Sequence, residues 1–486
     1  MPCERETLDS VNEYHFSAEA FYDFLTRYRH MFTTRSWDMT SNAHKYLCGL
    51  LQTEKRSGNI ERMVEDVPNS KYQSQQQFIS DSPWSYREVM NQVATEVGQL
   101  FAGGDEIGLV LDETYFKKTG IKSVGVARQW NGRLGKRENS QVAVFAALAA
   151  GERACLVDTE LYLPAEWTED PDRMEKAGVP QERFEFATKL ELAKRIVSRQ
   201  RGLGIPFDFV CADGLYGQSG DFCRWLDDND EDFLLHVHAD QHIYLEDPGL
   251  HIPAGSSGGG RKPSKLRASI SPVRTDAFVS TLKDEDWEDV VTRETVRGPL
   301  AIRAFAKTVW LWNGEEEEAR EWTLFVRNDF GSGDIKYAIS NAKDLPITSL
   351  ARREMQRYLI ERSFQDAKQD VSMGDYQIRG WLAWHHHMAL VMMAMLFITK
   401  TRMLYSTSIP LLSFSDIRRL LIFFLPQKKT TKQEILKQMQ IRHDAREQSM
   451  VYKKHAKMKK LQEAGFSVPT SPPPEMQYGD PEASPK

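Results

Sequence analysis

Cysteine is scarce in this sequence: five in 486 residues, at Cys3, Cys48, Cys155, Cys211 and Cys223, with no CxxC pair. An odd, scattered set excludes a disulfide framework and zinc-finger spacing, and it suits a reducing compartment. Long apolar runs are missing as well. The longest, 388–399, has about a dozen residues, against the roughly 20 that span a bilayer, so it reads as a core helix. Met1 is not followed by a basic start and an apolar stretch, so no secretory signal is expected and the expected location is cytoplasmic. No internal repeat is visible. Positive charge is not in excess either: the formal net charge is −6. Any contact with nucleic acid must then come from local basic clusters.

What is present is a globular composition, 41% hydrophobic and 27% charged, on a chain long enough for two to four domains. Residues 1–104 read as helical, with amphipathic stretches near 17–30, 41–57 and 84–101. Ser82 and Pro83 form a helix start as N-cap and first position. Arg27, Arg29, Arg35, Lys45, Lys55 and Arg56 are mixed there with Tyr28, Trp37 and Tyr46. That mixture suits DNA binding, but from this segment alone an ordinary helical bundle is the plainer reading. From Ile107 the pattern changes to strands. Ile107-Gly-Leu-Val-Leu111 is a continuous apolar run ending at Asp112, and Phe207-Asp-Phe-Val-Cys-Ala212 is a second, ending at Asp213. Such runs mark strands buried on both faces. Strand-like runs also fall at 123–128, 141–149 and 153–163, with a helix near 187–200. A β-rich block covers 231–345, with runs at 232–238, 276–282, 299–312, 321–327 and 335–340 around a Gly/Ser-rich loop at 254–260. Helices return at 348–370, 382–404, 414–425 and 431–447. Residues 427–460 hold eleven Lys or Arg against three acids, a local +8. Six prolines between Pro469 and Pro485 mark a disordered tail.

Three acids carry the chemistry. Asp112 and Asp213 end buried strands, where open α/β sheets place their sites. Glu361 sits on a helical stripe in which Arg357, Glu361, Phe364 and Lys368 recur at steps of 4, 3 and 4. Each acid alone is more plainly a surface carboxylate; the three together are rarer. Converging carboxylates repel unless cations neutralise them, and hard oxygen ligands favour Mg²⁺ or Mn²⁺. Two such ions about 4 Å apart activate a water or a 3′-hydroxyl and stabilise the leaving oxygen of a phosphodiester.

The ordered motifs resemble a family. Leu111-Asp112-Glu113-Thr114 with Lys117 and Lys118, Gly125-Val-Ala-Arg128-Gln129, Gly135-Lys136 and Gln141-Val142 are followed by Leu161-Tyr-Leu-Pro164 with Trp167. Then come Ala212-Asp213-Gly214 with Tyr216-Gly217, Ile360-Glu361 through Phe364 to Lys368, and Gly380-Trp381 with Trp384-His385-His386-His387. This set, over roughly 105–400, resembles the DDE transposases of bacterial insertion sequences, and within them the branch with a tyrosine-arginine-glutamate-lysine signature. Arg357, Glu361 and Lys368 keep its last two gaps, while Glu354 stands at the tyrosine position.

The resemblance implies a ribonuclease-H-like mixed α/β core with a β-rich insertion and helical DNA-binding flanks. The expected segments are 1–104 (DNA-binding helices), 105–230 (first part of the core), 231–345 (insertion), 346–405 (second part of the core, with Glu361), 406–465 (basic helical region) and 466–486 (tail). It implies that Asp112, Asp213 and Glu361 hold two Mg²⁺ or Mn²⁺ ions, and that Arg357 and Lys368 handle the transposon end. With that resemblance, phosphate contact becomes the better reading for Lys117, Lys118, Arg128 and Lys136. It further implies terminal inverted repeats and target DNA as substrates, a hairpin intermediate, cut-and-paste movement, a homodimer pairing two ends, no membrane partner, and a bacterial, nucleoid-associated location. Trp310, Trp312 and Trp322 are candidates for an aromatic that stacks on a flipped base, each also readable as core.

Other features are given plainer readings. The 255–262 run is a flexible loop and not a phosphate cradle, since Arg261 and Pro263 follow its glycines. Glu113 and Asp158 read as structural acids. His236 and His238 share a strand face and could bind metal, but with no partner ligands in sight a half-exposed strand is the plainer reading. His385, His386 and His387 suit plain packing, support of the helix on the acidic centre, or contact with a phosphate equally. Two rival functions stay open: a metal-dependent nuclease on the same core, and a transposase-derived DNA-binding regulator without catalysis.

Overall fold

The run Ile107–Leu111 becomes the first half of strand β1 (Ile107–Lys117), with Leu109, Val110 and Leu111 fully buried. Burial of each such side chain stabilises the fold by about 1.5–3 kcal/mol. The computed structural model describes residues 13–53, 58–131, 135–254, 264–295, 298–330, 333–406, 409 and 412–464. Lys55 and Arg56, the glycine-rich loop at 255–262 and the tail at 466–486 lie outside the described residues.

Residues 1–426 form one compact unit and 427–486 a second. In the first, β1 is followed by β2 (Ala127–Asn131), β3 (Lys136–Ala150), β4 (Arg153–Leu161), β5 (Phe209–Ala212) and β6 (Phe233–Val237). Two short strands, β7 (His242–Ile243) and β8 (Val273–Arg274), pair with each other. β9 (Glu288–Thr295), β10 (Gly298–Leu311), β11 (Arg320–Asp329) and β12 (Ile335–Ser340) complete the set. A single ten-stranded sheet runs β2-β3-β1-β5-β6-β12-β11-β10-β9, with β4 also on β3. β4, β3 and β1 pair antiparallel, whereas β1, β5 and β6 pair parallel. This order and direction make a ribonuclease-H-like core, and β12 to β9 extend the same sheet antiparallel from β6.

The five N-terminal helices Ala18–Thr26, Thr40–Gln52, Ile60–Asp66, Tyr72–Ser80 and Tyr86–Phe101 share one apolar core with this sheet and with the Trp381–Leu404 helix. That last helix has 24 residues and is apolar enough to cross a membrane by composition, but 94% of its apolar window is buried inside the protein. A smaller cluster of Ile243, Val279, Val309, Leu324 and Val326 sits under the β-rich part. The second unit carries a 32-residue helix, Lys432–Glu463, capped by Thr431, whose side chain accepts from the Glu434 amide.

Six expectations are corrected. Asp112 does not end its strand: β1 continues to Lys117 because β3 pairs with it along its whole length. The run 123–128 is mostly a turn, with Gly125 at a φ of 70°, and β2 starts only at Ala127. The run 276–282 is a short helix, Thr275–Val279, whose Val279 turns into the smaller cluster. The helix expected over 348–370 is two, Ile347–Gln356 and Tyr358–Asp370, joined at Arg357. The cap of the Tyr86–Phe101 helix is Ser85, which accepts from the Glu88 amide, while the Ser82 hydroxyl donates to the Gln77 carbonyl. The basic helix does not stop at 447: with no proline or glycine before Gly465, it continues to Glu463.

Candidate catalytic site

Parallel register builds the site. Leu111 pairs with Ala212, and Ala212 with Leu235. The next residues, Asp112, Asp213 and His236, therefore fall in one row across β1, β5 and β6, and residues in one row of a sheet point to one face. Glu113, the residue after Asp112 on β1, is tied down separately. Its carboxylate accepts from Lys189 Nζ at 2.7 Å and from the Tyr115 and Tyr216 hydroxyls.

Asp112 and Asp213 are half-buried neighbours, and among the described residues no lysine or arginine forms an ion pair with either. Burial first, then the charges of Asp213 and Glu113, push the Asp112 carboxyl up to about 8, with Arg357 pulling the other way. Asp213 is also raised, by burial and then by Glu113, although its side chain accepts from the Leu215 amide at 3.0 Å. Two glycines let the chain turn tightly here. A Cβ on Gly214 would lie 2.8 Å from the His238 ring, and one on Gly217 would collide with the His236 carbonyl.

Glu361 is not gathered into this pair. It is exposed, and Arg357 Nη2 donates to its Oε1 at 2.8 Å. Burial opposes the Arg357 charge, while Glu361 and, more weakly, Cys211 and Asp112 favour it. Among the described residues, no three His, Cys, Asp or Glu side chains are close enough together to hold a metal ion. The donors fit divalent ions in part: two adjacent carboxylates with raised proton affinity form an anionic place that a cation would relieve, and the third acid stays on an arginine.

The basic residues divide. Lys368 Nζ donates to Thr114 Oγ1 at 2.7 Å and to the Tyr115 carbonyl, so the stripe of the Tyr358–Asp370 helix does face β1. Phe364 packs edge-on against Phe145. Lys117 and Lys136 both reach Glu138 and are otherwise exposed. Arg128 is exposed on β2. Lys118 is different: its ammonium lies 3.4 Å from the Tyr376 ring centre and donates to the Tyr376 carbonyl. Burial lowers it to about 7, against Asp375.

The three adjacent histidines are packing residues. His386 lies 2.8 Å from the Ile79 carbonyl and stacks on Trp84, and His387 pairs with the Tyr46 hydroxyl. Burial lowers them to about 4 and about 3. They bind the N-terminal helices to the core helix.

Sequence reasoning missed the partners of Glu354. This buried carboxylate accepts from His236 Nε2 at 2.8 Å and from Arg327 Nη1 at 2.5 Å. Burial opposes its charge, and those two partners hold it below the ordinary range. Only its place in the signature, where a tyrosine was expected, could have drawn notice.

A model of the DDE superfamily endonucleases matches residues 27–299, more than half of the chain. The chain belongs to the DDE superfamily endonucleases. The matched stretch contains Asp112 and Asp213 and ends before Glu361. The chain is also similar to a protein of Microchaete diplosiphon described as a "Probable transposase for insertion sequence element IS701", at 30% identity over 213 residues. That match takes in 43% of this chain, and the chain spans about half (52%) of the relative's length.

Proposed function

We propose that this DDE endonuclease is a transposase that binds the terminal inverted repeats of an insertion sequence, cuts there with divalent metal, and joins the freed ends to target DNA. The observation that carries the reading is the pair Asp112 and Asp213, side by side in the β1–β5 register, with Asp112 in the middle of β1 and Asp213 just past the end of β5, and short of positive charge. The similarity to the IS701 relative supports the transposase over a plain nuclease. Asp112, Asp213 and Glu361 would hold two Mg²⁺ or Mn²⁺ ions, which neutralise the acids and polarise the phosphodiester toward water or a 3′-hydroxyl.

The chain's own residues do the positioning. Lys368 ties its helix to Thr114, two residues beyond Asp112. Arg357 holds Glu361 and, once a DNA phosphate takes its guanidinium, releases that acid toward Asp112. Lys117, Arg128 and Lys136 contribute phosphate contacts beyond β1, and Lys118 supports them through Tyr376. Among the candidate tryptophans, Trp312 and Trp322 both line a cleft of about 530 Å³ beside Gly217 and Tyr244; Trp322 is buried in the core while Trp312 is half-buried, so Trp312 is the one we assign to a displaced base. The helices of 1–104 and the basic region 406–465 serve DNA binding, 105–230 with 346–405 supply the acids, and 231–345 is the insertion. A homodimer pairs two ends, a hairpin forms on each, and the protein works in the bacterial nucleoid.

The test uses labelled DNA bearing the element's own ends, with Mg²⁺ or Mn²⁺, and compares wild type with Glu361→Gln on denaturing gels. Nicks, hairpins and joined products that vanish in the variant while end binding persists are expected. Binding without cleavage in any metal would favour a non-catalytic regulator, and cleavage without joining would favour a nuclease.

A further inference from the structure

His236 completes the row begun by Asp112 and Asp213, and it is oriented from behind. Its Nε2 donates to Glu354 Oε1 at 2.8 Å, and Glu354 is itself fixed by Arg327, which also pairs with Asp329. The three strands and the Ile347–Gln356 helix thus hold the ring in one pose. Nδ1 has no hydrogen-bond partner among the described residues, and the side chain keeps 13% of its surface exposed. The β5–β6 register sets His236 beside Asp213 in that row. A carboxylate on one imidazole nitrogen, with the other nitrogen open beside an acid, is the arrangement by which proteins fix a metal-binding histidine: the carboxylate sets the tautomer and raises the basicity of the free nitrogen.

We propose that His236 is a metal ligand, its Nδ1 sharing a divalent ion with Asp213, and that Glu354 is the residue that orients it. This rests on reading Asp112 and Asp213 as a metal site. Two protein ligands suffice for an ion whose remaining positions are filled by water and phosphate oxygens. The buried carboxylate at position 354 then has a role that a tyrosine there would not fill: a phenol is a weak acceptor, and an anion is needed to hold the imidazole against the pull of the ion. An imidazole nitrogen in the shell also shifts preference from Mg²⁺ toward transition ions.

The experiment loads the purified full-length protein with Mn²⁺ and reads ¹⁴N coupling to the bound ion by pulsed electron paramagnetic resonance, with Mn²⁺ and Mg²⁺ affinities measured in parallel. Wild type is expected to show directly bound nitrogen, and Asp213→Asn to lose the bound ion. In His236→Ala the nitrogen signal disappears and Mn²⁺ affinity falls by roughly 10–100-fold, with a smaller loss for Mg²⁺. Glu354→Gln keeps the ring but weakens Mn²⁺ by about tenfold. It also serves as the second variant if His236→Ala does not fold. His238→Ala, an exposed neighbour, keeps the signal. Asp213-dependent Mn²⁺ binding with no nitrogen coupling, or coupling that survives His236→Ala, overturns the assignment of His236 alone. Absence of Asp213-dependent binding overturns the metal-site reading beneath it too.

Discussion

The sheet holds two pairs of acids in opposite condition. On β4, Asp158 and Glu160 are fully buried and surrounded by arginine. Asp158 accepts from Arg87 at 2.5 Å and from Arg199 and Gln200 at 2.8 Å, and Glu160 pairs with Arg199 and Arg183. Burial pushes Asp158 up, yet Arg87 and Arg199 outweigh it and hold the carboxyl at about 2. On β1 and β5, Asp112 and Asp213 face each other's charge with one arginine nearby, and Asp112 rises to about 8. The same chemical groups in the same sheet end at opposite extremes. The difference is whether the fold itself supplies the counter-charge. Where it does, the acids are structural; where it does not, a cation from outside has a place to bind.

The comparison predicts its largest effect on catalysis. Asp112→Asn or Asp213→Asn should lower strand cleavage by about 10³-fold or more, since metal stabilisation of the transition state is worth several kcal/mol. Neither variant should melt lower than wild type, because each removes like-charge repulsion. Gel assays with parallel melting curves check both. Asp158→Ala should do the reverse: it leaves the half-buried Arg87 and Arg199 with Glu160 alone and should cost about 3 kcal/mol of stability, measured by denaturant unfolding. Loss of cleavage there, in the fraction still folded, would break the contrast.

The two acids should also slope oppositely with pH. Asp112 has a folded value near 8, above its unfolded one of 3.8, so the folded state binds its proton more tightly. Its contribution is most favourable below pH 4 and is lost as pH rises through 8. Asp158 has a folded value near 2, below 3.8, so its contribution is present above pH 4 and is lost as pH falls through 2. In metal-free buffer, the melting temperature of wild type should therefore decline from pH 6 to 9 relative to Asp112→Asn. Equal slopes would contradict the raised value. The smallest effect concerns the rim. Lys117→Ala should weaken end binding evenly across DNA sequences and reduce the salt dependence by about one phosphate contact. Lys118→Ala should instead disturb the Tyr376 packing and lower the melting temperature.

Much of this contrast was legible in the sequence, and some was not. Apolar runs ending in Asp112 and Asp213 are visible because strands buried on both faces leave no polar alternation to blur them. The stripe of Arg357, Glu361, Phe364 and Lys368 is visible because helical spacing is local, and Lys368 and Phe364 do face β1 and its neighbour β3. The i,i+4 spacing of Arg357 and Glu361 allows their ion pair, but that the pair keeps Glu361 apart from Asp112 and Asp213 depends on how the helix sits against the sheet, which local spacing does not mark. Asp158 looked like an ordinary strand acid because its arginines come from 71 and 41 residues away. Glu354 was noticed as a departure, but its partner His236 is 118 residues distant. The short helix at Thr275–Val279 was read as a strand because its apolar residues are few and its burial is set by a neighbouring cluster.

The most direct test of the central claim is the melting temperature at pH 8 with and without Mn²⁺, in wild type and in Asp112→Asn with Asp213→Asn. A ligand held at about 100 times its dissociation constant stabilises the folded state by about 2.7 kcal/mol. Wild type should therefore melt higher with Mn²⁺, and the doubly substituted protein should not respond. A wild type indifferent to the ion, or a shift that persists without both aspartates, would contradict the account.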